Sequence, residues 1–302
     1  METYLCAALS GTRLLVGEID SFGNILHYRK YDSGYFNQQA ALEFIKQSID
    51  DYSRTFIPKG SFPKTIGVGL IGRVNTTDGV WLQIDPYRSF PIHLAKELSS
   101  IYGVPCYIDN DVKSAARAER VWGFGQVSKN FIYINIGSGI AAGIVVKGRQ
   151  VRGASFNAGE VGHIRTGLNL GMRCTCGRLD CVETIASSIG LDKCARFLKD
   201  RYRSALAIKD DVRVQPAEIF ALAAEGDELC SVLVDNAASA VADLIMDLVR
   251  TTDPDTVVLG GSMVADGFLL PRIQERLNAM TMRFVTNGVV ITKLNPDFIG
   301  LI

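Results

Sequence analysis

Short apolar runs at residues 4–10 and 14–19, parted by Ser10-Gly11-Thr12, predict two strands and a hairpin turn. A third strand is expected over 25–31. From 37 to 53, alanine, leucine and isoleucine recur at helical spacing, which predicts an amphipathic helix. A buried-type strand at 65–70 follows, then a polar loop at 71–79, a helix at 92–101, a strand at 104–108 and a helix at 111–121. A second hairpin is expected from 130–136 and 142–146 around residues 137–141, mirroring the first. Helices at 184–198, 216–224 and 227–250, a strand at 256–259, a helix at 268–280 and a strand at 289–293 complete the pattern. A hairpin followed by alternating helices and strands is an α/β layered arrangement, and its recurrence implies two domains of related design. The boundary is expected after Asn110, giving domains 1–110 and 111–302.

Composition changes this picture little. Of 302 residues, 47% are hydrophobic and 21% charged, a globular mix that suits two ordinary domains. The 32 basic and 32 acidic side chains cancel, and no basic run marks a nucleic-acid face. The first residues lack a cationic stretch leading into a long apolar core, and no apolar run approaches the roughly 18 residues of a membrane helix. A soluble, cytoplasmic protein with no membrane partner is therefore expected. Seven cysteines, three of them in one cluster, point to a reducing compartment and a metal rather than to disulfides.

That cluster lies in residues 159–183, GEVGHIRTGLNLGMRCTCGRLDCVE. His163, Cys174, Cys176 and Cys181 follow a His-x10-Cys-x-Cys-x4-Cys pattern. One imidazole and three thiolates complete the tetrahedral shell of a closed, structural zinc site. The alternative is three unrelated buried cysteines. Glycines at 167, 171 and 177 allow tight folding between ligands, and Glu160 and Glu183 flank the cluster. Such a knot would fix both carboxylates and the imidazole relative to one another.

The stretch resembles the zinc motif of the ROK family of bacterial sugar kinases and sugar-responsive repressors. The family pattern, Gly-Glu-x-Gly-His and then Cys-x-Cys-Gly-x-x-Gly-Cys-x-Glu, is matched at Gly159, Glu160, Gly162, His163, Cys174, Cys176, Gly177, Cys181 and Glu183. It is broken at Asp180, where the family has Gly. The resemblance implies an actin-like, ribonuclease-H-like sugar kinase fold, two α/β domains around a cleft, carrying a structural zinc loop.

It also implies roles for particular residues. The first hairpin of the family carries Asp-x-Gly-Gly-Thr against the ATP phosphates. Here Gly11 and Thr12 remain, while Ala8 replaces the acid and Ser10 the first Gly. Taken without the resemblance, this is a plain hairpin turn. Asn110 and Asp111 match the family's Asn-Asp, the Asn holding a sugar hydroxyl and the Asp acting as base. A carboxylate at a helix N-terminus suits that role, although capping alone accounts for either residue. Glu160, His163 and Glu183 would hold further hydroxyls, with His163 sharing its two ring nitrogens between zinc and sugar. Gly137, Ser138 and Gly139 match the second phosphate turn, with Ala141 and Ala142 in place of usual glycines. Gly260 and Gly261 match the turn lying against adenosine, a place where Gly-Gly also serves as an ordinary strand-to-helix turn.

The expected activity is ATP-dependent phosphorylation of a hexose or N-acetylhexosamine, at the 6-hydroxyl, with magnesium bridging the phosphates. The altered hairpin keeps open an alternative, a sugar-binding or regulatory protein that has lost phosphoryl transfer. The family's repressors carry a helix-turn-helix segment first, and none precedes this hairpin, so direct nucleic-acid binding is not expected. The family usually continues past residue 296 into an Ala-rich helix; its loss is expected to leave an apolar groove and to favour a homodimer or higher homo-oligomer.

Overall fold

Strands β1 (Thr3–Leu9) and β2 (Arg13–Asp20) pair antiparallel, Thr3 opposite Asp20 and Leu9 opposite Leu14. This is a computed structural model, and it describes residues 2–302 apart from 12, 33, 35, 36, 59, 60, 85–89 and 297. Strand β3 (Ile25–Asp32) adds to the free edge of β2. Helix α1 (Gln38–Phe56) is capped by Asn37, whose Oδ1 accepts the Ala40 N–H at 2.8 Å. The chain continues through β4 (Ile66–Leu70), β5 (Arg73–Asn75), β6 (Val80–Gln83), α2 (Leu94–Tyr102), β7 (Cys106–Asn110) and α3 (Asp111–Trp122). The first sheet has the order β3-β2-β1-β4-β7, with β4 parallel to both β1 and β7.

The second half repeats this plan. It comprises β8 (Phe131–Ile136), β9 (Ile140–Val146), β10 (Arg149–Gln150), α4 (Val182–Ala186), α5 (Ser188–Leu198), α6 (Pro216–Ala224), α7 (Glu228–Thr252), β11 (Thr256–Gly260), α8 (Leu269–Gln274), α9 (Ala279–Met282) and β12 (Val289–Ile291). Its sheet runs β10-β9-β8-β11-β12, with the hairpin β8-β9 antiparallel and β11 parallel to β8 and β12.

The chain divides into two compact units, Met1–Trp122 with Arg152–Ala158 and Asp297–Ile302, and Gly123–Val151 with Gly159–Pro296. The boundary expected after Asn110 thus falls inside the first unit. Helix α3 packs on β4 and β7, so it stays with the sheet that launches it.

In the first unit, Leu5, Leu14 and Val16 of the hairpin pack against Ile45, Ile49 and Tyr52 of α1. The segment expected as a polar loop at 71–79 instead contributes β5 to a small two-stranded sheet. It is anchored by the fully buried Trp81, whose indole N–H donates to the Ile71 carbonyl at 3.0 Å. On the other sheet face, Cys6, Leu15 and Ile19 form a cluster with Leu301 that also takes in Ala8, Phe298 and Ile302. Residues 298–302 therefore cover apolar surface on this face of the sheet.

In the second unit, α7 packs against α4, α5, α6 and α8. Ala237, Val241 and Ile245 belong to the same core as Ile132 and Ile134 of β8. Helix α7 is long and apolar enough by length and composition to cross a membrane, yet most of that window is buried in the unit, as in a core helix. Two helices expected as continuous are broken. Ser187 divides 184–198 by accepting the Gly190 N–H at 2.9 Å as the cap of α5, and 268–280 is split into α8 and α9.

One ion pair stands beside the Asn110-Asp111 pair. Arg152 binds Asp109 through both guanidinium ends, Nη2 at 2.7 Å from Oδ2, and Asp109 Oδ1 also accepts the Asn110 N–H at 2.8 Å. Lys113, 5% exposed, donates to the Ala158 carbonyl. These bonds tie the segment 152–158 at both ends to β7 and α3. The Asp109 side chain is only 14% exposed, so Arg152→Ala removes a partner that water replaces poorly. The expected loss is about 1.5–3 kcal/mol of stability, the size found for hydrogen bonds to charged groups. Urea unfolding checks this, and an unchanged midpoint would show that the pair contributes nothing.

Candidate functional site

The His-Cys cluster is built by backbone pairing in a segment with almost no regular structure. Cys174 N–H donates to Arg178 O at 2.8 Å and Gly177 N–H to Cys174 O at 3.0 Å, closing the turn that presents Cys174 and Cys176. Gly177 adopts φ 87°, where a side chain would be strained. Asp180 N–H donates to Met172 O, Thr166 N–H to Asp180 O, and Val182 N–H to Ile164 O, at 2.8, 2.8 and 2.9 Å. Cys181 is thereby laid beside the 164–166 segment that follows His163.

Asp180 braces this loop. Its φ is 55°, a left-handed conformation that Asp tolerates better than most residues. The residue is 2% exposed, and its carboxylate accepts the Met172 N–H at 2.8 Å and the Gly171 N–H at 3.2 Å. Asp180 therefore takes a left-handed shape that Gly adopts readily and adds two hydrogen bonds. The sequence marked Asp180 only as a departure; its bracing role depends on amides eight and nine residues away.

The four ligand atoms all lie within 4.8 Å of one another. Cys174 Sγ is 3.4 Å from His163 Nδ1, and Cys176 Sγ is 3.6 Å from Cys181 Sγ. Tetrahedral zinc with sulfur at 2.3 Å and nitrogen at 2.0–2.1 Å places its ligands about 3.5–3.8 Å apart, so the donor set fits the ion. Electrostatics agree. At Cys174 burial opposes ionisation, but hydrogen bonds from the Cys176 backbone, Thr184, the Cys176 thiol and His163 outweigh it and hold the thiol at about 6. At Cys181 burial, reinforced by the neighbouring thiols, pushes the group up to about 12. Three thiols this close do not ionise together without a cation, and a bound dication would remove that conflict.

The flanking residues are placed by the same knot. His163 ends a single turn over Val161–His163, with Nδ1 towards the thiols. Glu160 begins that turn and is exposed. Glu183 lies in the first turn of α4, directly after Cys181 and Val182, and its Oε2 accepts the Ile140 N–H at 2.8 Å. Gly137, Ser138 and Gly139 join β8 to β9, closed by Gly137 N–H to Gly139 O at 3.0 Å. Gly260 and Gly261 end the neighbouring strand β11; Gly261 has φ 91°, and any Cβ there would come within 2.5 Å of Ile136 O. The second unit therefore brings the two glycine turns together at the ends of adjacent parallel strands. A cavity of about 190 Å³ lies between Ser138, Glu183, residues 173–175 and the start of α5.

The remaining candidates lie in the first unit. Asn110 caps α3, its Oδ1 accepting the Lys113 N–H at 3.1 Å and its Nδ2 donating to Gly72 O at 3.0 Å. Asp111 opens that helix half-buried, with Oδ1 accepting the Val112 N–H at 2.9 Å. Gly11 is exposed at the first hairpin turn, where Ser10 closes the turn through N–H and hydroxyl bonds to Arg13 O. Thr12 lies outside the described residues. Ala8 pairs with Leu15 and Gly69, and its methyl belongs to the apolar cluster with Leu301.

A family model described as "ROK family" matches residues 4–301. The DNA-binding transcriptional dual regulator NagC of Escherichia coli K12 is 30% identical over 257 residues, 84% of this chain and 61% of that protein. A glucokinase from Halalkalibacterium halodurans is 30% identical over 229 residues, 74% of this chain and 69% of its own. Among solved structures, a ROK family transcriptional regulator described as a homologue of the E. coli MLC protein has a TM-score of 0.82 at 26% identity, covering 97% of this chain and 74% of that one. The chain spans about six tenths of the length of the repressor relatives it matches.

Natively purified protein is expected to carry about one zinc per chain, lost together with thermal stability in Cys176→Ser because metal binding is coupled to folding. Asp180→Ala is expected to lower the melting temperature even with zinc in excess, since the buried Met172 amide left unpaired costs about 1–3 kcal/mol. Metal analysis and thermal melts with and without chelator check both; zinc-free wild type or unaltered melting would contradict the assignment.

Proposed function

Because this chain belongs to the ROK family and carries its actin-like, ribonuclease-H-like fold, we propose that it phosphorylates a hexose or N-acetylhexosamine with ATP, at the 6-hydroxyl. The observation that carries this reading is Asp111. It opens α3 beside a capping Asn110, with one carboxylate oxygen taken by the backbone. Sugar binding alone does not call for a base there. In the proposed reaction the sugar hydroxyl attacks the γ-phosphorus, its proton passes to Asp111, and the bond to the leaving ADP oxygen breaks.

Asn110, Glu160, His163 and Glu183 would bind the other hydroxyls, with His163 offering Nε2 because Nδ1 faces the thiols. Gly11, Thr12, Gly137, Ser138 and Gly139 would approach the phosphates through backbone amides, and Gly260 and Gly261 the adenosine. Magnesium would neutralise the charge that develops between the phosphates. Zinc takes no part in the chemistry; its full protein shell leaves no open position.

A second reading is a sugar-responsive binding or regulatory protein, and Ala8 favours it. The family's acid at this position is a methyl group among Cys6, Leu15 and Leu301. A carboxylate introduced there would face apolar side chains, so Ala8→Asp is not expected to restore a phosphate site.

The test is sugar-dependent ADP release over a panel of hexoses and amino sugars, with calorimetry of each sugar alongside. For at least one sugar the wild type is expected to turn over, and Asp111→Asn to lose about 10²–10⁴ in rate, the usual worth of a general base. Glu160→Ala is expected to weaken sugar binding about tenfold, the worth of one hydrogen bond to a charged group. Sugar binding without ADP release would establish the regulatory reading, and turnover unchanged in Asp111→Asn would overturn the mechanism.

A further inference from the structure

The second glycine hairpin is gripped on both sides at one residue, Ile140. Its N–H donates to Glu183 Oε2 at 2.8 Å. Its carbonyl oxygen lies against Gly162, where a Cβ would come within 2.2 Å. Gly139, one residue earlier, is pressed against the same carboxylate, a Cβ there falling 2.7 Å from Glu183 Oε2. The gripping residues come from opposite ends of the zinc segment. Gly162 immediately precedes His163, and Glu183 is two residues beyond Cys181.

From this geometry we infer that Glu183 is a positioning residue for the phosphate donor, in addition to any hydroxyl it holds on the acceptor. One carboxylate oxygen fixes the amide that follows the Gly137-Ser138-Gly139 turn and so sets the direction of the turn's own N–H groups. The inference rests on reading that turn as part of the donor site. A glycine-rich turn has many backbone conformations open to it, and only some aim successive amides at one anion. Bonding the Ile140 N–H and packing its carbonyl closely against Gly162 narrows that freedom before the donor arrives, which lowers the ordering cost of binding. The second oxygen, Oε1, is left for a sugar hydroxyl. Glu183 would then join the two halves of the reaction through one carboxylate, each substrate stiffening the group that the other uses.

The carboxylate's charge works against a neighbouring phosphate, so its use on the donor side is as a hydrogen-bond acceptor. Gln keeps an oxygen acceptor for the Ile140 N–H and discards the charge. Ala keeps neither. A group that serves only the sugar would show no donor effect in either variant.

The experiment measures the affinity of magnesium AMPPNP, without sugar, for wild type, Glu183→Gln, Glu183→Ala and Gly139→Ala, with hydrogen exchange over residues 138–141 on the same samples. Glu183→Ala is expected to weaken AMPPNP binding about fivefold or more, the size of one lost hydrogen bond, while Glu183→Gln stays within about twofold of wild type. Gly139→Ala is expected to weaken binding likewise, because its methyl would meet Glu183 Oε2 at 2.7 Å and push the carboxylate off the Ile140 N–H; it also serves if Glu183→Ala fails to fold. Exchange at Ile140 is expected to quicken in Glu183→Ala and to be restored by Gln. Equal AMPPNP affinity in wild type, Glu183→Ala and Gly139→Ala would overturn the inference, as would a Gln variant as weak as Ala. If wild type binds no AMPPNP, the kinase reading has failed on its own, and exchange at Ile140 decides: no change in Glu183→Ala overturns the grip, and quickening reversed by Gln upholds it.

Discussion

Three thiols and an imidazole crowded within 4.8 Å are the constraint on which the site depends. Backbone pairing and the Asp180 carboxylate shape the loop, and Val161, Met172 and Val182 tie it to the core of the second unit. Burial pushes the Cys181 thiol up while hydrogen bonds hold Cys174 low, a conflict that a bound dication would relieve. His163 gives one ring nitrogen to the cluster and has the other left. Glu160 lies at the start of the same turn, and Glu183 just past the last cysteine, bonded to the hairpin at Ile140. The same segment packs on the large core of the second unit, so the core and the loop together place these groups.

The two units share one plan, a hairpin followed by parallel strands with helices between them. Their hairpins have diverged. The second keeps Gly137, Ser138 and Gly139 and is gripped by Glu183 and Gly162. The first has an exposed Gly11, a turn closed by Ser10, and a methyl at position 8 covered by residues 298–302. The two hairpins are thus unequally built, and relatives of this chain include both a regulator and a kinase.

Much of this was legible in the sequence where the signal is local. The paired strands of both hairpins, the Asn37-led helix and the gathering of His163 with three cysteines are all declared within a few residues of where they occur. What escaped was decided by distant partners. Asp180 reads as an irregularity until Gly171 and Met172 are seen to donate to it. Ser187 sits within a helix-like run and breaks it, because its hydroxyl caps the following helix more favourably than it continues the preceding one. The domain boundary was placed at a motif, Asn110-Asp111, whereas α3 remains packed on β4 and β7. Residues 298–302 return to a sheet almost three hundred positions away in the chain, a contact that no local pattern announces.

The most direct test of this account is the X-ray absorption fine structure of the zinc in natively purified protein. Three sulfurs near 2.3 Å and one nitrogen near 2.0 Å are expected, unchanged when sugar is added, since the shell is closed. A shell of oxygen and nitrogen alone, or one that gains a ligand with sugar, would contradict the view that this knot is structural and organises the site.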